Sequence, residues 1–150
     1  MNATASAPAA SDLAGRPNFL TNGHGLKSWL LTLDHKRVAI LYLIAVSCYF
    51  LLGGIFAMLM RIELMTPVGD LMLPDTYNRV FTGHGVTMVF FFLIPAIPGI
   101  LGNFLIPLMI GCDDMVFPRI NRLSYQIFLI SAVVLLVSLA VPGGGFGGAW

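Results

Sequence analysis

The chain has 150 residues, of which 57% are hydrophobic and only 10% charged, with a formal net charge of +1; its mean hydropathy is +0.87. A soluble domain carries about 25% charged residues, so this composition belongs to a membrane protein. A near-neutral chain also lacks the clustered basic surface that phosphate neutralisation needs, which excludes nucleic acid as a partner.

Residues 1–25 are rich in Ala, Ser, Pro, Gly and Asn, without apolar periodicity and without the basic start of a secretory signal. They read as a flexible cytoplasmic tail. Residues 26–37 read as an interfacial segment: Leu26 to Leu33 is short and amphipathic, with Trp29 suited to the membrane–water boundary. Asp34 stands where a helix N-cap belongs, ahead of His35, Lys36 and Arg37. Val38 to Met60 is uncharged over about 23 residues, and roughly 20 suffice to cross a bilayer. Arg61 and Glu63 close that span, and the connection to Arg79 holds Pro67, Gly69, Asp70, Pro74 and Asp75.

The next uncharged run, 80–112, is longer than one span requires. Pro95, Pro98 and Pro107 interrupt it, so a tilted or kinked helix is expected, with neighbours that re-satisfy the freed carbonyls. A polar turn from Asp113 to Arg122 leads to a third span over 123–141. The glycine run ending at Trp150 reads as a cut rather than a natural terminus. Cys48 and Cys112 lie far apart with no C-x-x-C spacing, and read as small buried residues. Four cations precede the first span (Arg16, Lys27, Lys36, Arg37) and two follow it (Arg61, Arg79), which places the N-terminus and the Asp113–Arg122 turn inside.

Three groups of residues carry chemistry. His84 lies a few residues inside the second apolar run. A neutral imidazole there needs a partner, because a stranded polar group costs roughly 2–7 kcal/mol. A metal, a haem iron, a proton path and a hydrogen bond to a neighbouring helix all answer that need. Gly83 and Gly85 remove bulk beside the ring, where a macrocycle needs clearance, and Met88 sits one turn away. On the first helix Gly54, Ala57 and Arg61 share a face by spacing. They read either as a cradle for a flat ligand with a guanidinium donor, or as helix packing with Arg61 snorkelling to the headgroups. Asp113 and Asp114 read as a solvated turn or as a proton-gathering mouth. Asn103 lies about 16 Å inward along the helix at 1.5 Å per residue, and Asn121 lies on the inner side.

Consecutive motifs then resemble subunit I of the haem–copper cytochrome c oxidases of the A type. They are Asp34-His35-Lys36-Arg37, Met60-Arg61-Ile62-Glu63-Leu64, Pro74-Asp75-Thr76-Tyr77-Asn78, Phe81-Thr82-Gly83-His84-Gly85, Asn103 to Gly111, and Asp114 to Asn121. The resemblance covers Leu33 to Trp150 and implies an all-α membrane protein, here the first three transmembrane helices of a twelve-helix-type bundle. It implies that His84 is an axial ligand of the low-spin haem, a haem a, and that Arg61 bonds that haem's formyl group. Trp150 resembles a tryptophan near the haem propionates. Asp114 matches the mouth of the D proton channel, with Asn103 and Asn121 lining it. Glu63 resembles a carboxylate at an outer metal site, although the family's glycine nearby is Val68 here.

The resemblance further implies reduction of O2 to water with proton pumping, and a high-spin haem and copper B in the complete subunit. The partners it implies are cytochrome c, oxidase subunits II and III, other respiratory complexes and the bilayer of a bacterial plasma membrane. None of the oxygen-site ligands falls in this stretch, so in isolation it is expected to be inactive. Quinol-using relatives carry quinone-bonding side chains at positions that are Leu52, Phe56, Thr76 and Arg79 here. Cytochrome c is therefore the expected donor. A quinol oxidase of the same superfamily, and a cofactor-free membrane subunit or transporter fragment, are the alternatives.

Overall fold

The structure is a computed structural model, and it describes residues 19–20, 23, 25–69 and 71–141. Most of the expected tail, and Trp150, lie outside the described residues. A short helix α1 (Leu26–Leu30) precedes three long ones: α2 (His35–Glu63), α3 (Pro74–Ile110) and α4 (Pro118–Ala140). Each of the three is long and apolar enough to cross a membrane. Among the described residues there is no strand.

The helices outrun the uncharged stretches at both ends of α2 and at the start of α3 and α4. A helix ends where backbone hydrogen bonds and caps end it, whereas charge marks only contact with water. Asp34 caps α2, its carboxylate accepting from the Lys36 amide at 2.9 Å. His35, Lys36 and Arg37 therefore belong to the first turn of α2. Pro74 and Pro118 occupy the first turns of α3 and α4, where a missing N–H costs nothing.

The prolines of α3 do not break it. The helix is α-helical over Pro74–Val86, π-helical over Thr87–Leu93 and Ala96–Gly102, and α-helical again over Asn103–Ile110. Proline cannot donate and clashes with the carbonyl one turn back; the wider turns around Pro95 and Pro98 absorb both effects. Gly111 then ends α3 in the left-handed conformation, φ 74°, with the Cys112 amide returning to the Pro107 carbonyl at 3.0 Å.

α2 is the central helix. α3 packs antiparallel to it: His35 reaches Asp114 just past the end of α3, and Gly53 meets His84 near its start. α4 runs parallel to α2, with the Tyr42 hydroxyl 3.1 Å from Ser124 Oγ and the Tyr49 hydroxyl donating to the Ala132 carbonyl at 2.7 Å. Between them Val38, Tyr42 and Tyr125 form the core, flanked by Ile100 and Phe128. Gly99 lets α3 come close, since a Cβ there would sit 2.7 Å from the Tyr42 ring. Cys48 and Cys112 are both exposed on this three-helix surface, contrary to the expectation of burial. An apolar segment marks only the membrane, and these two positions turn away from the faces the helices share.

Candidate functional site

His84 sits in the first α-helical part of α3, half-buried against α2. Its Nδ1 donates to the Gly53 carbonyl oxygen at 2.8 Å. A carbonyl only accepts, so Nδ1 carries the proton and Nε2 keeps its lone pair. Metal-binding imidazoles are held this way, by donating the other ring N–H to a carbonyl or carboxylate.

Gly53, rather than Gly54, is the close-approach residue. A Cβ on Gly53 would lie 2.6 Å from Met88 Sδ and 3.5 Å from Thr87 Cγ2. Met88 thus packs on the backbone that orients His84. Gly54, one residue on, has no heavy atom within 4 Å of where its Cβ would be. It opens a groove of about 470 Å³ lined by Phe50, Leu51, Gly54, Ile55, Met58 and Leu59. Ala57 is half-buried and Arg61 exposed, and neither lines that groove. Arg61 lies about 12 Å further along α2 than Gly53, at 1.5 Å per residue.

The residues fit a haem in donor chemistry: a neutral imidazole with a free Nε2 is an iron donor. The unfilled space beside Gly54 admits a flat apolar group close to the α2 backbone, in a groove lined by α2 residues alone.

A second polar line lies at the N-terminal end of α2. Asp114, in the turn after α3, presents Oδ1 to His35 Nδ1 at 2.7 Å and to the Met115 amide at 2.8 Å. Asp114, Asn121 and Ser124 line one cavity of about 290 Å³ whose remaining walls are largely apolar. Asn121 Nδ2 donates to Asn103 Oδ1 at 2.6 Å, and Asn103 Nδ2 donates to the Gly99 carbonyl at 2.9 Å. Asn103, separated from Asn121 by a whole helix end, is fully buried. Ser124 continues the line, donating to the Asn121 carbonyl at 2.7 Å and lying beside the Tyr42 hydroxyl.

Sequence reasoning named Asp114, Asn103 and Asn121 but not His35, Tyr42 or Ser124. Ser124 follows Asn121 by one helical turn, and Tyr42 follows His35 by two; that spacing was the available signal. Glu63, at the far end of α2, is buried and accepts from the Leu71 and Met72 amides at 3.1 and 2.9 Å. Its carboxylate folds the α2–α3 connection back onto the helix. Gly69 makes room for it at φ 63°, where a Cβ would meet Oε1 at 2.8 Å.

Three membrane-length helices, with a half-buried imidazole at one level and a hydrogen-bonded amide pair at another, define an all-α membrane protein with polar side chains held between its helices. The chain belongs to the cytochrome c and quinol oxidase polypeptide I family, whose model matches residues 37–150. It is 42% identical over 114 residues to a cytochrome c oxidase subunit 1 of Thermostichus vulcanus, covering 76% of this chain and 21% of that protein. It is 40% identical over 119 residues to a cytochrome c oxidase polypeptide 1 of Halobacterium salinarum, covering 79% and 20%. With a cytochrome c oxidase subunit 1 of Corynebacterium efficiens the identity is 37% over 128 residues, covering 84% and 22%. The chain spans about a fifth of the length of these curated relatives.

Proposed function

We propose that this chain is the N-terminal part of catalytic subunit I of a respiratory terminal oxidase that reduces O2 to water with electrons from cytochrome c and pumps protons. The observation that carries the reading is the His84 Nδ1–Gly53 hydrogen bond, which leaves the Nε2 lone pair available to a metal. A low-spin haem, when bound there, supplies a one-electron carrier whose potential its ligands tune. The residues that would hold it are His84, as a ligand of its iron, with Gly54, Ala57, Met88, Arg61 and Trp150 as its proposed neighbours.

The chain's second task is to admit protons. Asp114 collects them at the inner mouth, and Asn121 and Asn103 offer a hydrogen-bonded route along α3 and α4. This assigns the N-terminus to the cytoplasmic side of a bacterial plasma membrane. The high-spin haem, copper B and turnover itself belong to the complete subunit, working with subunits II and III and with any associated respiratory complex. Cytochrome c is the donor because Leu52, Phe56, Thr76 and Arg79 stand where quinol-using relatives carry their quinone-bonding side chains and could not bond a quinone in the same way, and because the relatives above are named as cytochrome c oxidases.

The test is the reduced-minus-oxidised spectrum of the full-length enzyme beside its His84→Ala variant. Loss of the low-spin band in the variant, with assembly retained, is expected; a normal band overturns the ligand assignment. Oxygen uptake with reduced cytochrome c against quinol settles the donor.

A further inference from the structure

We infer that His35 is the positioning residue for Asp114: its ring occupies one carboxylate oxygen and leaves the other to take the proton. The inference deepens the reading of Asp114 as the proton mouth and rests on it. His35 follows the capped Asp34 in the first turn of α2, so its backbone is fixed by the cap. Its ring crosses to the turn after α3 and meets Asp114 Oδ1 at 2.7 Å, 79 residues away in sequence.

Oδ1 also accepts from the Met115 amide, at 2.8 Å. An ionised carboxylate oxygen offers about two acceptor sites, and both sites of Oδ1 are taken. An arriving proton therefore binds Oδ2. The geometry also sets the histidine: against an ionised carboxylate Nδ1 must be the protonated nitrogen.

The pair is unequal in a way that suits this division. The His35 side chain is 5% exposed and that of Asp114 47% exposed. The imidazole is a fixed strut and the carboxylate is the part that meets water. His35 lines one cavity and holds a carboxylate that lines another. One, of about 310 Å³, is lined by His35 together with Lys36, Cys112 and Asp113. The other holds Asp114 with Asn121 and Ser124. Without the ring, Asp114 keeps only the amide of its own neighbour among these bonds, and the carboxylate is free to turn away from the Asn121 cavity.

The experiment uses the full-length enzyme in its complex, reconstituted in vesicles, reading oxygen turnover, protons pumped per electron and the low-spin haem band. His35→Ala is expected to slow turnover about tenfold, the scale of one lost hydrogen bond to a charged group, with the haem band unchanged. His35→Asn, whose amide reaches the place of Nδ1, restores most of the rate. In the Asp114→Asn background His35→Ala adds nothing, because it acts through Asp114.

Wild-type turnover in His35→Ala beside a slowed Asp114→Asn overturns this assignment alone. Wild-type turnover in both overturns the proton-mouth reading and this assignment with it. Should His35→Ala fail to assemble, His35→Asn and His35→Gln decide: a fast Asn variant beside a slow Gln variant supports the role, and equal rates overturn it.

Discussion

The imidazole of His84 donates from Nδ1 to the carbonyl of Gly53, 2.8 Å away on the neighbouring helix. That one bond selects the tautomer, orients the ring and ties the start of α3 to the middle of α2. It depends on Gly53 itself, because only a residue without Cβ lets Met88 Sδ lie where it does. Gly53→Ala is expected to push Met88 aside and shift the carbonyl, at about 1–3 kcal/mol for overpacking. The low-spin haem band of the full-length variant should move or broaden while the protein still assembles. An unchanged band and unchanged thermal stability would refute the role given to this carbonyl.

Neighbouring glycines on α2 should respond differently. At Gly54 no atom lies within 4 Å of an added Cβ, so Gly54→Ala is expected to leave helix packing intact and even to favour the helix by about 0.5–1 kcal/mol. If the groove beside it takes the haem, the same variant loses haem occupancy. Measuring stability and haem-to-protein ratio on one preparation separates the two effects. Retained occupancy would remove Gly54 from the cofactor site.

Gly99→Ala tests the other end of the α2–α3 contact. Its Cβ would lie 2.7 Å from two atoms of the Tyr42 ring. That ring is held in the core between Tyr125, 5.1 Å away, and Phe128, 5.3 Å away, so it has little room to yield. A destabilisation of about 1–3 kcal/mol is expected, read as a lower unfolding temperature in detergent. Tyr42→Leu combined with Gly99→Ala should recover part of it.

The spans were legible because membrane solubility is written in long uncharged runs, and any residue inside 38–60 or 80–112 states it. Helix ends were not legible from charge: His35, Lys36 and Arg37 read as an interfacial approach but continue α2, since an N-cap and backbone hydrogen bonds decide. Which of two adjacent glycines faces α3 was equally hidden. Gly53 and Gly54 differ by 100° of helix rotation, and packing rather than local sequence sets that rotation. His84, Asp114, Asn103 and Asn121 were named from motif order and spacing. The partners that give two of them geometry, Gly53 for His84 and His35 for Asp114, lie 31 and 79 residues away in sequence. No motif reports such pairs, because they exist only once the helices cross.

The Asn103–Asn121 pair offers the last test, and it separates packing from transport. Asn103 is 2% exposed and has both amide ends engaged, by the Gly99 carbonyl and by Asn121. Asn103→Leu conserves approximate volume and removes both bonds at once. It leaves Asn121 without this partner, at about 1 kcal/mol or less for a hydrogen bond between membrane helices. Asn121→Ala removes the same 2.6 Å bond from the more accessible side and leaves Asn103 bonded to Gly99. If the pair only joins α3 to α4, both variants lower the unfolding temperature modestly and turnover of the surviving enzyme is unaffected. If it conducts protons from Asp114, both slow turnover severalfold at unchanged haem content, and neither change is additive with Asp114→Asn. The second outcome is expected, because Asp114 and Asn121 line one cavity and Asn121 donates directly to the buried Asn103.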